Sequence, residues 1–173
     1  DVYKRQRGVT PAPQRESTGR DLEAEAHLVA IAIWQRVWCV LGLIFAVILY
    51  KLAAAMATAF GADAPGALRI VAVPVLGALA SGALGHFLAR YHAPARLLTV
   101  GLAGLTVVFT LWDGISIMSV LSVLFDVAVI VVLLNARSVA VCTPEYRENV
   151  ARTPDVSVPW ASSPFFWIPA VLT

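Results

Sequence analysis

Charge is what this chain has least of. Of its 173 residues only 14% are Asp, Glu, Lys or Arg, against about 25% in ordinary soluble domains. Hydrophobic residues make up 59% and gather into long runs, a composition that excludes a disordered chain and argues against a water-soluble globule. Cysteine is equally scarce: Cys39 lies in an apolar run and Cys142 in a polar tail, with no C-x-x-C pair, so neither a disulfide framework nor a zinc site is expected. The formal charge is +2, with no basic cluster beyond Lys4–Arg7. Nucleic-acid binding, which needs a sustained cationic face, is set aside on that ground. Enzyme signatures are missing too. There is no G-x-S-x-G, no H-E-x-x-H and no phosphate-cradling glycine loop before a lysine, and a non-catalytic role with no cofactor is expected.

What is there is a series of apolar runs of bilayer length. The pattern predicts an all-α integral membrane protein of four antiparallel transmembrane helices, with an amphipathic lead-in helix and a short cytoplasmic tail helix. Residues 1–20 lack periodicity and read as a disordered segment. Within them the opening Asp-Val-Tyr-Lys-Arg-Gln of residues 1–6 resembles a translated read end of an environmental assembly. From Asp21 the pattern changes. Asp21, Glu23 and Glu25 suit the positive end of a helix dipole, and Leu22, Ala26, Val29 and Ile33 recur at helical spacing.

The predicted spans are 37–60, 68–88, 94–112 and 115–134. Trp34 and Trp38 mark an interface at the first, and Pro74 falls in the first turns of the second. The sixteen residues from Leu97 to Trp112 would rise only about 24 Å, short of the roughly 30 Å hydrocarbon core, so Pro94 and Ala95 are drawn into the third span. Gly61–Gly66, Arg90–Arg96 and Asp113–Gly114 supply the turns. A signal-peptide cleavage region around Ala55–Ala64 is the weaker alternative for the first run, because a 36-residue lead with acidic residues makes a poor n-region.

Basic residues near the span ends set the orientation. Lys4, Arg5, Arg7, Arg15, Arg20, Arg36, Arg90, Arg96, Arg137, Arg147 and Arg152 fall on one side, and only Lys51 and Arg69 on the other. The N-terminus and residues 135–163 are therefore expected in the cytoplasm. Residues 164–173, an aromatic-led apolar run, read as the start of a truncated fifth span.

Three groups of side chains are candidates for function. Asp126 falls near the middle of the fourth span, where an ionised carboxylate costs about 2.5–3.5 kcal/mol on insertion scales. Ser116, Ser119 and Ser122 stand on its face at helical spacing. That polar stripe reads either as a proton- or cation-handling site or as hydrogen-bonded packing glue between helices. His86 is the other ionisable candidate, read as interfacial rather than as a relay. Gly77, Ser81 and Gly85 form a small-residue packing stripe in the second span, with the serine stripe of the fourth span or Gly101 and Gly104 of the third as expected partners. In the tail, Thr143 caps a helix at 144–152 that opens on Pro144 and is stopped by Pro154. Its Tyr146, Arg147 and Arg152 are placed against the membrane or the bundle mouth, the arginines reaching lipid phosphates.

The Pro-Glu-Tyr-Arg motif of residues 144–147, the Arg-Thr-Pro of residues 152–154 and the stretch from about Glu25 to Leu49 together resemble a group of small, uncharacterised bacterial multi-pass membrane proteins. The resemblance covers about 130 residues. It implies the bacterial inner membrane and carries no activity to transfer. Partners expected from all of this are the lipid bilayer and either a second copy of the chain or another membrane protein. Two functions follow as alternatives: a scaffold or accessory subunit, or a small transporter or channel component using Asp126.

Overall fold

The computed structural model describes residues 20–60, 64–113 and 116–172. Residues 1–19, the turn at 61–63, residues 114–115 and Thr173 lie outside them, and with them most of the expected disordered segment and parts of two expected turns. The described residues are all helical apart from their connections, without a strand. The helices in chain order are α1 (Leu22–Phe60), α2 (Ala64–Leu88), α3 (Ala93–Asp113), α4 (Ile117–Leu134), α5 (Ala136–Val141), α6 (Pro144–Arg152) and α7 (Pro164–Leu172). Three of them contain stretches long and apolar enough to cross a membrane: Leu22–Ala59, Val71–Leu88 and Ala93–Trp112. The apolar stretch of α4, Ser119–Leu134, is shorter.

The lead-in and the first apolar run form one helix. At 1.5 Å per residue the 39 residues of α1 rise about 58 Å, nearly twice a hydrocarbon core. Its two halves have opposite surroundings. Ala24, Glu25, Ala26, Leu28, Ala30, Ile31 and Ala32 are buried by protein, whereas Val40, Leu41, Ile44, Phe45, Val47 and Ile48 are each more than two-fifths exposed. The expected amphipathic lead-in is thus enclosed on nearly all sides. Its run of alanines lets neighbouring elements come close, and the connection after α6, the α2–α3 turn and α7 all use that room.

α1 packs most extensively on α2, and α3 on α4. Small residues set the first of these interfaces. A Cβ on Gly82 would stand 2.7 Å from Cys39 Sγ, and one on Gly85 would stand 2.7 Å from the Ala32 carbonyl oxygen. At Gly82 the Cys39 side chain has to give way, and at Gly85 the obstacle is backbone, so nothing larger fits there without moving α1. Of the expected packing stripe, Gly85 therefore meets α1 rather than α3 or α4. Gly77, Gly101 and Gly104 have open space where a Cβ would go, so close approach does not require glycine there. Pro74 also falls elsewhere than expected. α2 begins a turn early, at Ala64, which leaves the proline in the helix interior.

The connections are capped by local chemistry. Asp21 Oδ1 accepts from the Ala24 N–H at 3.2 Å, Thr143 Oγ1 from Tyr146 N at 3.3 Å, and Ser163 Oγ from Phe165 N at 3.3 Å. Each satisfies an orphan donor of a first helical turn. Asn135 ends α4 and starts α5, its Oδ1 accepting from Arg137 N at 3.1 Å. The aromatic-led run at the C-terminal end, expected to enter a further span, forms α7 and lies on α1: Trp34 Nε1 donates to the Phe166 carbonyl at 2.8 Å, and Phe165 is buried against His27.

Candidate functional site

Two places concentrate polar chemistry, one at the N-terminal end of α1 and one inside the bundle. The first centres on Glu25, whose side chain has no exposure. Its carboxylate is held by Arg20, five residues before it, and by two tyrosines from distant parts of the chain. Arg20 donates in a bidentate pair, Nε to Oε1 at 2.9 Å and Nη2 to Oε2 at 2.5 Å. Tyr91 donates to Oε2 at 2.9 Å from the α2–α3 turn, and Tyr146 to Oε1 at 2.5 Å from α6. Tyr146 also accepts from the Asp21 N–H, and Arg20 reaches the Thr153 and Val156 carbonyls at 2.9 and 3.3 Å.

The network closes almost every donor and acceptor it buries, which is the condition under which a buried ion pair is tolerable. Hydrogen bonding to Glu25 holds the Arg20 guanidinium above its ordinary value. Burial, followed by Glu25, pushes both phenols above theirs. Arg20, expected in the disordered segment, is 5% exposed and belongs to the folded unit. Tyr91 carries a further cost. Its φ is +58°, the left-handed region where glycine usually sits, and its burial and the bond to Glu25 hold a bulky residue there.

Around this network the tail is tied twice more. Arg147 Nη1 donates to His92 Nδ1 at 3.1 Å. Arg137, exposed, bridges Asp21 at 2.7 Å and Glu23 at 3.2 Å. Below it Arg96 donates to the Leu133 carbonyl at 2.9 Å, placing a cation at the negative end of α4. Cys142, expected in a polar tail, is 2% exposed, and burial raises its thiol against the opposing pull of Arg96 and Arg147. Of the expected tail contacts, Tyr146 and Arg147 turn into the bundle and Arg152 stays on the surface, paired with Glu148 at 3.7 Å. Arg147 is committed to His92, so the expected reach to lipid phosphates does not describe its position.

The second place is a cavity of about 170 Å³ among α1, α2, α3 and α4. Asp126 lines it together with Gln35, Thr99, Ser81 and Thr106, and Trp34, Trp38 and Phe125 supply aromatic walls. Gln35 donates to Thr99 Oγ1 at 3.0 Å, while its own Oε1 is buried without a partner. Asp126 makes no hydrogen bond or ion pair among the described residues. The predicted serine stripe divides. Ser116 is the N-cap of α4, bonded to Ser119 by side chain and backbone; Ser122 is exposed. None of the three lines the cavity with Asp126. His86 is exposed against Phe87, away from that cavity. Among the described residues no three His, Cys, Asp or Glu side chains come together as metal ligands.

The Glu25 network is not legible in the sequence because its members are up to 136 residues apart. The one local signal was a glutamate flanked by Ala24 and Ala26 on the face that continues to Leu28 and Ala32. No family model, curated protein or solved structure matches the chain.

Proposed function

We propose that the chain is a multi-pass scaffold or accessory subunit of the bacterial inner membrane. Four helices cross the bilayer, with the N-terminus and the tail on the cytoplasmic side. The observation that carries this reading is the buried latch on Glu25. It joins the start of α1, the α2–α3 turn and α6 into one unit, and a buried ionic network is more useful for fixing one geometry than for raw stability. Held that way, α6 turns Tyr146 inward and presents Glu145, Glu148 and Arg152 outward. A fixed, charged helix face at the membrane surface is what a partner protein, or a second copy, can recognise. A photo-crosslinker placed at Glu148 is expected to capture one defined protein in membranes, and the same group at the lipid-facing Val108 is expected to capture none.

A small transporter or channel component using Asp126 for proton or cation binding is the second reading, favoured by the cavity that Asp126 lines. Sealed vesicles containing the purified protein and a pH dye decide between them. The scaffold reading expects the flux of empty vesicles, unchanged in Asp126→Asn. A pH-coupled cation flux that Asp126→Asn abolishes, with the protein still folded, overturns it.

A further inference from the structure

The cavity around Asp126 has a chemistry the scaffold reading does not use. We infer that it is a binding site for a small organic ammonium ion with apolar substituents. This does not rest on the scaffold reading, and it holds whether or not the ligand is moved across the membrane.

Three observations converge on that ligand class. The first is sign. The uncompensated charge is negative: the Asp126 carboxylate stands in a lining that holds no cation, beside Gln35 Oε1, buried without a partner. Thr99 already donates its hydroxyl proton to the Ala95 carbonyl at 2.8 Å and accepts from Gln35, and Thr106 donates to the Leu102 carbonyl at 3.1 Å. Asp126 is the one charged group of the lining, so the guest that balances the site is a cation. A carboxylate ten residues into an eighteen-residue apolar helix is expensive until a countercharge accompanies it.

The second observation is the walls. Trp34, Trp38 and Phe125 line the same space, and aromatic faces attract cations through the ring quadrupole. The Trp34 indole is anchored by its bond to the Phe166 carbonyl, so that wall is preorganised. A bare metal ion would gain little from rings and would want several oxygens, of which one alone here is anionic; an ammonium ion with carbon substituents uses both kinds of surface.

The third is size and access. About 170 Å³ is below the roughly 300 Å³ at which ordinary small-molecule pockets begin, so only a compact head fits. Trp38 and Leu102, which line the cavity, are 50% and 42% exposed, so it is open to the surroundings of the bundle on their side. In a bilayer that opening faces hydrocarbon, the route of an amphiphilic amine rather than of a hydrated ion. A phospholipid headgroup would have to carry its phosphate to the same depth, and the cavity offers that phosphate no cation.

The probe is hexyltrimethylammonium, titrated into the purified full chain in uncharged maltoside micelles and followed by calorimetry and tryptophan fluorescence. Its uncharged carbon isostere and sodium chloride are titrated in parallel. Expected are saturable binding of the cation, weakening of at least about tenfold in Asp126→Asn and of roughly threefold in Trp38→Ala, and no saturable binding of the isostere. Unfolding midpoints without ligand show that each variant is folded. Should Asp126→Asn not fold, Trp38→Ala and the charged-against-neutral difference carry the test. Equal binding of the two probes, affinity indifferent to both substitutions, absence of saturation, or full displacement by sodium at equimolar concentration each overturns the proposal. The vesicle flux measurement is separate, so binding without flux leaves this site standing and excludes only transport.

Discussion

The two ends of α1 treat the same bundle in opposite ways. At its N-terminal end, a glutamate with no solvent exposure is met by an arginine and two tyrosines, and six of the nine helical residues from Ala24 to Ala32 are buried hydrophobics. At the other, Val47, Ile48, Tyr50, Leu52 and Met56 stand open, a surface that only lipid or another protein can cover. The difference teaches where specificity resides. Side chains facing hydrocarbon are interchangeable within their class, whereas each member of the latch has one geometry in which its partners are satisfied.

Removing Glu25 should separate the ends most sharply. Glu25→Ala leaves the buried Arg20 charge without its counterion and is expected to cost about 3–5 kcal/mol, read as a fall in the unfolding midpoint and as rapid proteolysis of the tail. Next in size is Tyr146→Phe, which removes the acceptor of the Asp21 N–H and a donor to Glu25. A loss of about 1.5–3 kcal/mol is expected, with the tail freed while α1 to α4 stay assembled. Gly85→Val forces a side chain against the Ala32 carbonyl and should cost about 1–3 kcal/mol, measured as lost helix association. At the open end Phe109→Leu, 69% exposed in the parent, should move the midpoint by less than about 0.5 kcal/mol. A large effect there would mean that this face is covered by protein.

pH sharpens the same comparison. Both latch phenols are held above their ordinary value, so the folded state binds those protons more tightly than the unfolded one. Their contribution is whole below the ordinary phenol range of about 10 and is lost as pH rises beyond it. Tail release on alkaline titration, with an onset that moves in Tyr146→Phe, is the expected result. The smallest effect belongs to Arg137→Ala: its pairs with Asp21 and Glu23 are exposed and screened, and no resolvable change in the midpoint is expected at physiological salt.

Much of the framework was readable from local chemistry. Thr143 and Pro144 announce α6, Pro94 falls in the first turn of α3, and the apolar runs announce the long helices, since length and hydropathy depend on neighbouring residues alone. The sites were less legible. Asp126 stands out by hydropathy alone, but the polar side chains that share its cavity come from three other helices, and none of the serines at helical spacing from it lines that cavity. Helical spacing says which side chains share a face, not which neighbour that face meets. The same gap misassigned the partner of Gly85 and sent Arg147 toward lipid.

By itself, then, the sequence determined that the chain is helical and suited to a membrane, because few charges and long apolar runs leave no other way to satisfy the backbone. It also determined the Thr143 cap of α6, which is settled within four residues. Only the tertiary structure decided that Arg20, Glu25, Tyr91 and Tyr146 are one network and that Asp126 opens onto an aromatic-walled cavity. Those pairings depend on how helices stack, and that is a contest among contacts separated by as much as 136 residues.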